Sequence, residues 1–414
     1  MKYDFDEVVD RTGTDSLTVD GWREYMFGDH ESPAPEVPAS GFINLWVADM
    51  AFPTPEPVLE AIRSRLDKKI LGYTRVFDRD YYDIFGAWCE RHYGYRFQEE
   101  SIVFSPGIIP ALNRLVPLLT HKEDSILILT PSYAPFKKAG DYSGRRVVEC
   151  PLKNSQGYWA PDFEAMEQAL CDEQKRIKVF FLCNPHNPTG RVWRRDELQK
   201  MIALCLQHDV WVISDEIHCD LSRSGVMHIP AASLFPENNK IITCMSTSKT
   251  FNLAGNLLAN IMIPDASVRA EWLRLHDDFI SPLSLVANKA AWSECDEWLT
   301  QLRLYIDENF RFLQDYLRTY HPRARFIIPE GTYLAWIDIS PLLDVSNQEE
   351  VTLFFARHAG VLLEGGQMFV SNGDGYIRLN LACPRAVLAE GLSRISNALS
   401  ASSVDATGTI TATM

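Results

Sequence analysis

Residues 241–255 read IITCMSTSKTFNLAG, an apolar run closed by Ser246, Thr247, Ser248 and a single lysine, Lys249. The run Ile241–Met245 has the length of a buried strand. In an open α/β sheet, ligands bind outside the carboxyl ends of the strands. Lys249, with hydroxyls beside it, is therefore placed to meet an electrophilic carbonyl and an anionic group together. Taken alone, the S-x-S-K string reads equally well as a solvated lysine after a polar turn, and the rest of the chain decides.

Working outward, short apolar runs recur at ILILT (126–130), VFFLC (179–183), VWVIS (210–214) and ANIMI (259–263), separated by helical stretches. In ELQKMIALCLQHD, Leu198, Ile202 and Cys205 share one helical face. Buried strands alternating with helices predict an α/β fold with a mostly parallel sheet covered on both faces. Upstream, residues 1–45 are rich in Pro, Gly and Asp and read as an irregular arm, with PAPEVPAS (33–40) as a loop. A turn at Phe52 to Pro57 precedes a helix that has Pro57 in its first turn. Beyond residue 285 the texture changes. WLTQLRLYIDENFRFLQDYLRTY predicts a long helix, RFIIPEGTYLAWIDIS and YIRLNLAC predict strands, and together they give a smaller α+β domain. The expected division is a large domain over 46–285, a small domain from the arm (1–45) and 286–400, and a polar, disordered tail over 401–414.

Composition agrees with two domains, since 414 residues exceed the roughly 250–300 at which a single core stops growing. The chain is 46% hydrophobic and 23% charged, which supports packed cores, and its formal charge of −15 leaves no basic footprint for nucleic acid or an anionic membrane surface. Nine cysteines, an odd number without a C-x-x-C pair, suggest neither a disulfide framework nor a metal site, and favour a reducing cytoplasm. The amino terminus MKYDFDEVVD lacks an apolar targeting region, and no run approaches the roughly 20 apolar residues of a membrane span.

Two further stretches carry chemistry. NPHNPTG (184–190) follows the VFFLC strand and packs two X-Pro bonds, two asparagines and a glycine into seven residues, a fixed loop that can aim Asn187 at a ligand. In SDEIHCDL, Asp215 lies just past VWVI, at a depth where a carboxylate needs a cationic partner. A protonated ring nitrogen would serve. For that motif standing alone, a surface carboxylate at a strand end is the simpler reading.

The ordered set GYT, SPGIIPAL, PSYAPF, CNPHNPTG, SDEIH and STSKTFNLAG resembles the fold-type I enzymes that use pyridoxal 5′-phosphate (PLP). Within the class I/II aminotransferase superfamily it is most similar to the MalY/PatB group of cystathionine β-lyases, or C–S lyases. The resemblance runs from YDFDEVVDR near the start to YIRLNLAC, ending at residue 383. It implies the PLP-dependent transferase-like fold, and a PLP joined to Lys249, paired at its ring nitrogen with Asp215, hydrogen-bonded by Asn187 and stacked on Tyr133. His218 would border the cofactor. The phosphate would lie on backbone N–H groups of Gly107, Ile108 and Ile109, helped by Ser246, Ser248 and the Tyr73 hydroxyl from a neighbouring subunit. Arg378 would clamp the substrate carboxylate, with Trp46 and Tyr73 on the substrate side. Lys249, Asp215 and Tyr133 are the catalytic candidates.

Three departures bear on activity. His218 stands where aminotransferases carry tyrosine, and Leu257 where many place an arginine on the phosphate; the lyase group shares both features. Ala51, in WVADMAF, replaces an aspartate usual in that group. The resemblance thus implies β-elimination from an L-cysteine thioether to thiol, pyruvate and ammonia, by a homodimer with shared active sites. An aminotransferase of the same fold is the nearest alternative, and a lyase with an added regulatory protein-binding role is another.

Overall fold

The computed structural model describes residues 3–28, 34–343 and 350–405. At its centre lies a seven-stranded sheet. In chain order its strands are β1 (Ile102–Ser105), β2 (Ser125–Thr130), β3 (Arg146–Pro151), β4 (Ile177–Cys183), β5 (Trp211–Asp215), β6 (Ile241–Met245) and β7 (Ala259–Met262). Their spatial order is β1-β7-β6-β5-β4-β2-β3. Only β7 runs antiparallel to its neighbours, so the sheet is mostly parallel, as expected.

The strands are apolar throughout because both faces are covered. On one face Ile126, Ile128, Val179, Phe181, Ile213 and Ile242 pack with Ala111, Leu112 and Leu115 of the helix Ile108–Leu119. Across the sheet Leu127, Leu129, Phe180, Leu182, Val212 and Ile241 join Leu198, Met201, Ile202 and Cys205 of the helix Arg195–Gln207. The period-two alternation of strand side chains sorts neighbouring residues into these two clusters. β1 and β3 lie outside the runs singled out in the sequence. β3, RVVECP, is an edge strand with partly exposed residues and so carries a weak apolar signal.

The second sheet contains β8 (Leu334–Asp338), β9 (Glu364–Gly365) and β10 (Tyr376–Asn380), ordered β8-β10-β9 and antiparallel. The 25-residue helix Asp296–Tyr320 forms as the sequence predicts. The stretch RFIIPEGTYLAWIDIS is a strand only over β8. Its earlier half contains Pro329 and Gly331, poor strand formers, and docks instead on the NPHNPTG loop: the Gly331 N–H donates to the Gly190 carbonyl at 2.8 Å. Gly190 has a φ of +69°, and a Cβ there would stand 2.4 Å from the Pro329 Cβ, so glycine is needed for both reasons.

The arm is less irregular than its composition predicts. Trp22–Phe27 forms a helix, and Ile43–Asn44 pairs in parallel with Val361–Leu362. At the other end the helix Arg385–Asp405 continues into the stretch read as a tail, because propagating a formed helix adds a hydrogen bond for each residue fixed. Residues 406–414, the remainder of that stretch, lie outside the described residues. No helix among the described residues is long and apolar enough to cross a membrane.

Candidate active site

The carboxyl ends of β1, β2, β4, β5 and β6 meet at one edge of the large sheet. From them come, respectively, Gly107, Tyr133, Asn187, Asp215 and Lys249. These five residues, with Ile108, Ile109, His218, Ser246 and Ser248, line one cavity of about 280 Å³. Ten of the sequence-chosen residues, scattered over some 140 positions, are thus brought together. Parallel register accounts for the convergence, since Cys183 lies opposite Asp215 and Asp215 opposite Cys244.

Ser246 caps the turn Thr247–Thr250: its hydroxyl accepts the Ser248 N–H at 3.2 Å and donates to the Leu258 carbonyl at 2.8 Å. Its proton is therefore committed within the chain. The Lys249 Nζ donates to the Ala48 carbonyl at 2.6 Å, and burial lowers its pKa. Asp215 is buried and its carboxylate accepts only the Ile217 N–H, at 3.1 Å; burial raises its pKa to about 7 against the pull of Lys249. His218 is also buried, its pKa lowered to about 3 by loss of solvent and by Lys249 and Arg378, and its Nδ1 has no partner. It is a neutral imidazole at any working pH. Burial raises the pKa of Tyr133, which remains a phenol.

Arg378 reaches this group from β10. Its Nη1 donates to the Asn187 Oδ1 at 3.0 Å, and Nη2 donates to the Trp46 carbonyl at 3.2 Å and lies 2.5 Å from the Glu364 Oε2. The Asn187–Pro188 peptide is cis, as is Asn184–Pro185. Trp46 takes part through its backbone. Its indole does not line the cavity; it donates to the Thr18 carbonyl at 3.1 Å and packs on Tyr25 of the arm. Tyr73 is not in the cavity of its own chain: it is 91% exposed, with its ring on Phe279.

Several contributors escape sequence reasoning. Glu364 sits in an apolar run, VLLEGG, where an isolated glutamate is the available signal. The Ala48 carbonyl gives no sequence signal at all. It is held in place because Asn252 bonds both backbone groups of Met50, at 3.0 and 2.9 Å, while the Asn380 amide donates to the carbonyls of Val47 and Asp49. Ala51, the departure in WVADMAF, packs against the main core, and its N–H donates to the Ala382 carbonyl at 2.9 Å.

These residues fit PLP. The buried Asp215 carboxylate faces the cavity without a cationic hydrogen-bond donor, as a protonated ring nitrogen would be. Ile108 and Ile109 open a helix, where backbone N–H groups lack intrahelical acceptors and suit a phosphate. Lys249 is the one amine on the cavity wall.

Similarity to known proteins points the same way. The chain is 37% identical over 403 residues to the cystathionine β-lyase PatB of Bacillus subtilis, covering 96% of this chain and all of that one. It is 31% identical to the protein MalY of Escherichia coli, over 96% and 99% of the two chains. Among solved structures it superposes on the PLP-bound C–S lyase of Staphylococcus hominis with a TM-score of 0.91 and 45% identity, over 96% and 98% of the chains. Residues 40–395 match the aminotransferase class I and II family. With its fold-type I architecture and these relatives, the chain belongs to the aminotransferase class I and II family, in the group of PatB and MalY.

Proposed function

We propose that this protein is a PLP-dependent C–S β-lyase that cleaves cystathionine or another L-cysteine thioether. The observation that carries the reading is the convergence of Lys249, Asp215 and Asn187 on one cavity, with Arg378 hydrogen-bonded to Asn187. When bound, PLP supplies an electron-accepting ring that stabilises negative charge on the α-carbon of an amino acid.

Asp215 would hold the ring nitrogen of PLP and keep it protonated, the pairing leaving the buried carboxylate ionised. Asn187 would offer its amide N–H₂ to the ring hydroxyl, its oxygen being taken by Arg378. Arg378 orients the substrate by its carboxylate. Lys249 would hold PLP and, with its amine free, would take the α-proton at Nζ; its lowered pKa suits a base, and the Ala48 carbonyl fixes where that nitrogen sits. Tyr133, on the cavity wall, would cover one ring face. The thiolate then leaves from the β-carbon and takes up a proton as the thiol, and one water hydrolyses the remaining enamine to pyruvate and ammonia.

Transamination shares the proton abstraction but needs no leaving group. Elimination is favoured by His218 and Leu257, which agree with the lyase group. Supporting a dimer, the exposed Tyr73 is of no use to its own cavity and suits the phosphate of a partner's site. The division into 46–285 and 1–45 with 286–400 belongs to the same reading, as does a cytoplasmic location, since all nine cysteines are unpaired and eight are buried.

The test is a panel of cysteine thioethers given to the pure protein, reading pyruvate and free thiol. The expected result is pyruvate from L-cystathionine or a related thioether without any added keto acid. Product that forms only with 2-oxoglutarate, with the thioether intact, would make the protein an aminotransferase.

A further inference from the structure

The carboxylate clamp is already half engaged. Arg378 is 2% exposed, and on the neighbouring strand Glu364 lies directly opposite it in register, with Oε2 2.5 Å from Nη2. Glu364 is itself 7% exposed, and among the described residues its side chain has no hydrogen-bond partner besides this pairing. The Arg378 Nε is buried without a partner. The guanidinium thus keeps a donor for an incoming carboxylate while a resident carboxylate occupies its other edge.

We propose that Glu364 and the substrate carboxylate share Arg378, and that Glu364 yields its part of the ion pair by taking up a proton, which limits the site to ligands bringing one negative charge. The proposal rests on the reading of Arg378 as the carboxylate clamp and deepens it.

The argument is one of charge. Arg378 and Glu364 together are neutral, so a bound carboxylate leaves one uncompensated negative charge beside two buried side chains. Two carboxylates facing one another in such a place cannot both stay ionised, and one is driven to bind a proton. Glu364 is predisposed to be that one, because burial already raises its pKa against the attraction of Arg378 and Lys249. The other groups facing it are Tyr25 from the arm and Tyr133, phenols whose pKa Glu364 helps to raise, and Lys249, whose amine would be joined to the cofactor in the loaded enzyme. None supplies the missing positive charge. A second carboxylate would add a further charge that no group there can neutralise. Amino acids with an acidic side chain are therefore disfavoured, and thioethers with an uncharged or zwitterionic far end are accepted.

The probe is 3-(methylthio)propanoate, a thioether carboxylate without an amine, titrated as a competitive inhibitor of the PLP-loaded enzyme from pH 6 to 9. In the wild type, its inhibition constant is expected to rise with pH, by up to about tenfold per unit, with uptake of up to about one proton recorded in an indicator-dye titration. Glu364→Gln is expected to bind the probe more tightly and to lose that slope, and to inhibit more strongly with glutarate as well. Absence of proton uptake in the wild type overturns the proposal without recourse to any variant. An unchanged slope in Glu364→Gln, or a weaker inhibition constant at every pH, does so too and leaves Glu364 a structural support. Arg378→Lys separates the two readings: an unaltered inhibition constant there means the clamp itself is misassigned.

Discussion

The two sides of the cavity are built differently. The cofactor side consists of strand ends and the turns that follow them, in one sheet whose register fixes every residue relative to the next. On the substrate side Arg378 and Glu364 are set opposite one another across β10 and β9, but the Ala48 carbonyl comes from a segment between arm and body and Tyr25 from the arm helix. One side is set by local chain geometry and the other by hydrogen bonds between distant segments. Changes on the cofactor side should therefore abolish chemistry, while those on the substrate side should shift affinity and selectivity.

The largest effect expected is at Lys249. On the proposed reading, Lys249→Ala removes both the covalent anchor and the base, and general base catalysis alone is worth about 10²–10⁴-fold. Turnover should fall by at least that factor, while PLP is still retained through Asp215 and the helix start, as measured by absorbance after gel filtration. Retained turnover with the yellow colour lost would break the distinction between the two sides.

Asp215 gives the next effect, on stability. In the ligand-free fold its pKa is about 7 against an ordinary 3.8. The folded form therefore holds a proton that the unfolded form has released. Stability should be greatest below pH 4 as far as this group goes, and should decline as pH rises to about 7, by about 4 kcal/mol at most. Urea melts of cofactor-free protein from pH 5 to 8 should show that slope, and Asp215→Asn should flatten it. Bound PLP should remove it as well, since a ring N–H partner returns the carboxylate to its ionised state. A slope that persists in Asp215→Asn would place the titration elsewhere.

This contrast also explains what the sequence could reveal. Lys249, Asp215 and Asn187 each follow a contiguous apolar run, so the strand announces the residue and the sheet does the rest. The same logic exposed the long helix 296–320 through its amphipathic period. Arg378 was legible through the family resemblance alone, for YIRLN looks like any strand with an arginine. Glu364 and the Ala48 carbonyl were not legible: a cross-strand pairing with thirteen residues between its members, and a backbone atom held by two asparagines, leave no local pattern. Pro329 and Gly331 misled in the other direction. The apolar residues around them suggested a strand, and loop docking against Gly190 prevailed.

A smaller effect tests whether the cofactor side extends across subunits. Tyr73→Phe deletes one hydroxyl, and if that hydroxyl donates to a partner's phosphate, PLP retention should weaken by about tenfold, the size of one hydrogen bond to a charged group. Sedimentation should show an unaltered dimer. Unchanged retention, or full activity in a monomer, would confine the site to a single chain.

The smallest expected effect lies where the two sides touch. Asn252 has a φ of +56°, a left-handed conformation that asparagine tolerates better than most residues, and its carboxamide bonds both backbone groups of Met50. It stands three residues after Lys249 and fixes the segment whose Ala48 carbonyl receives the Lys249 amine. Asn252→Gly loses the two hydrogen bonds but keeps the backbone angle at ease; Asn252→Ala loses the bonds and strains the backbone. The alanine variant should be the less stable of the two by about 1 kcal/mol. Both should raise KM more than they lower kcat, because the lysine keeps its strand and turn while the segment leading to Trp46 and Arg378 loosens. An equal fall in kcat and kcat/KM would instead mean that the Ala48 carbonyl governs proton transfer at Nζ, and that the substrate side reaches into the chemistry.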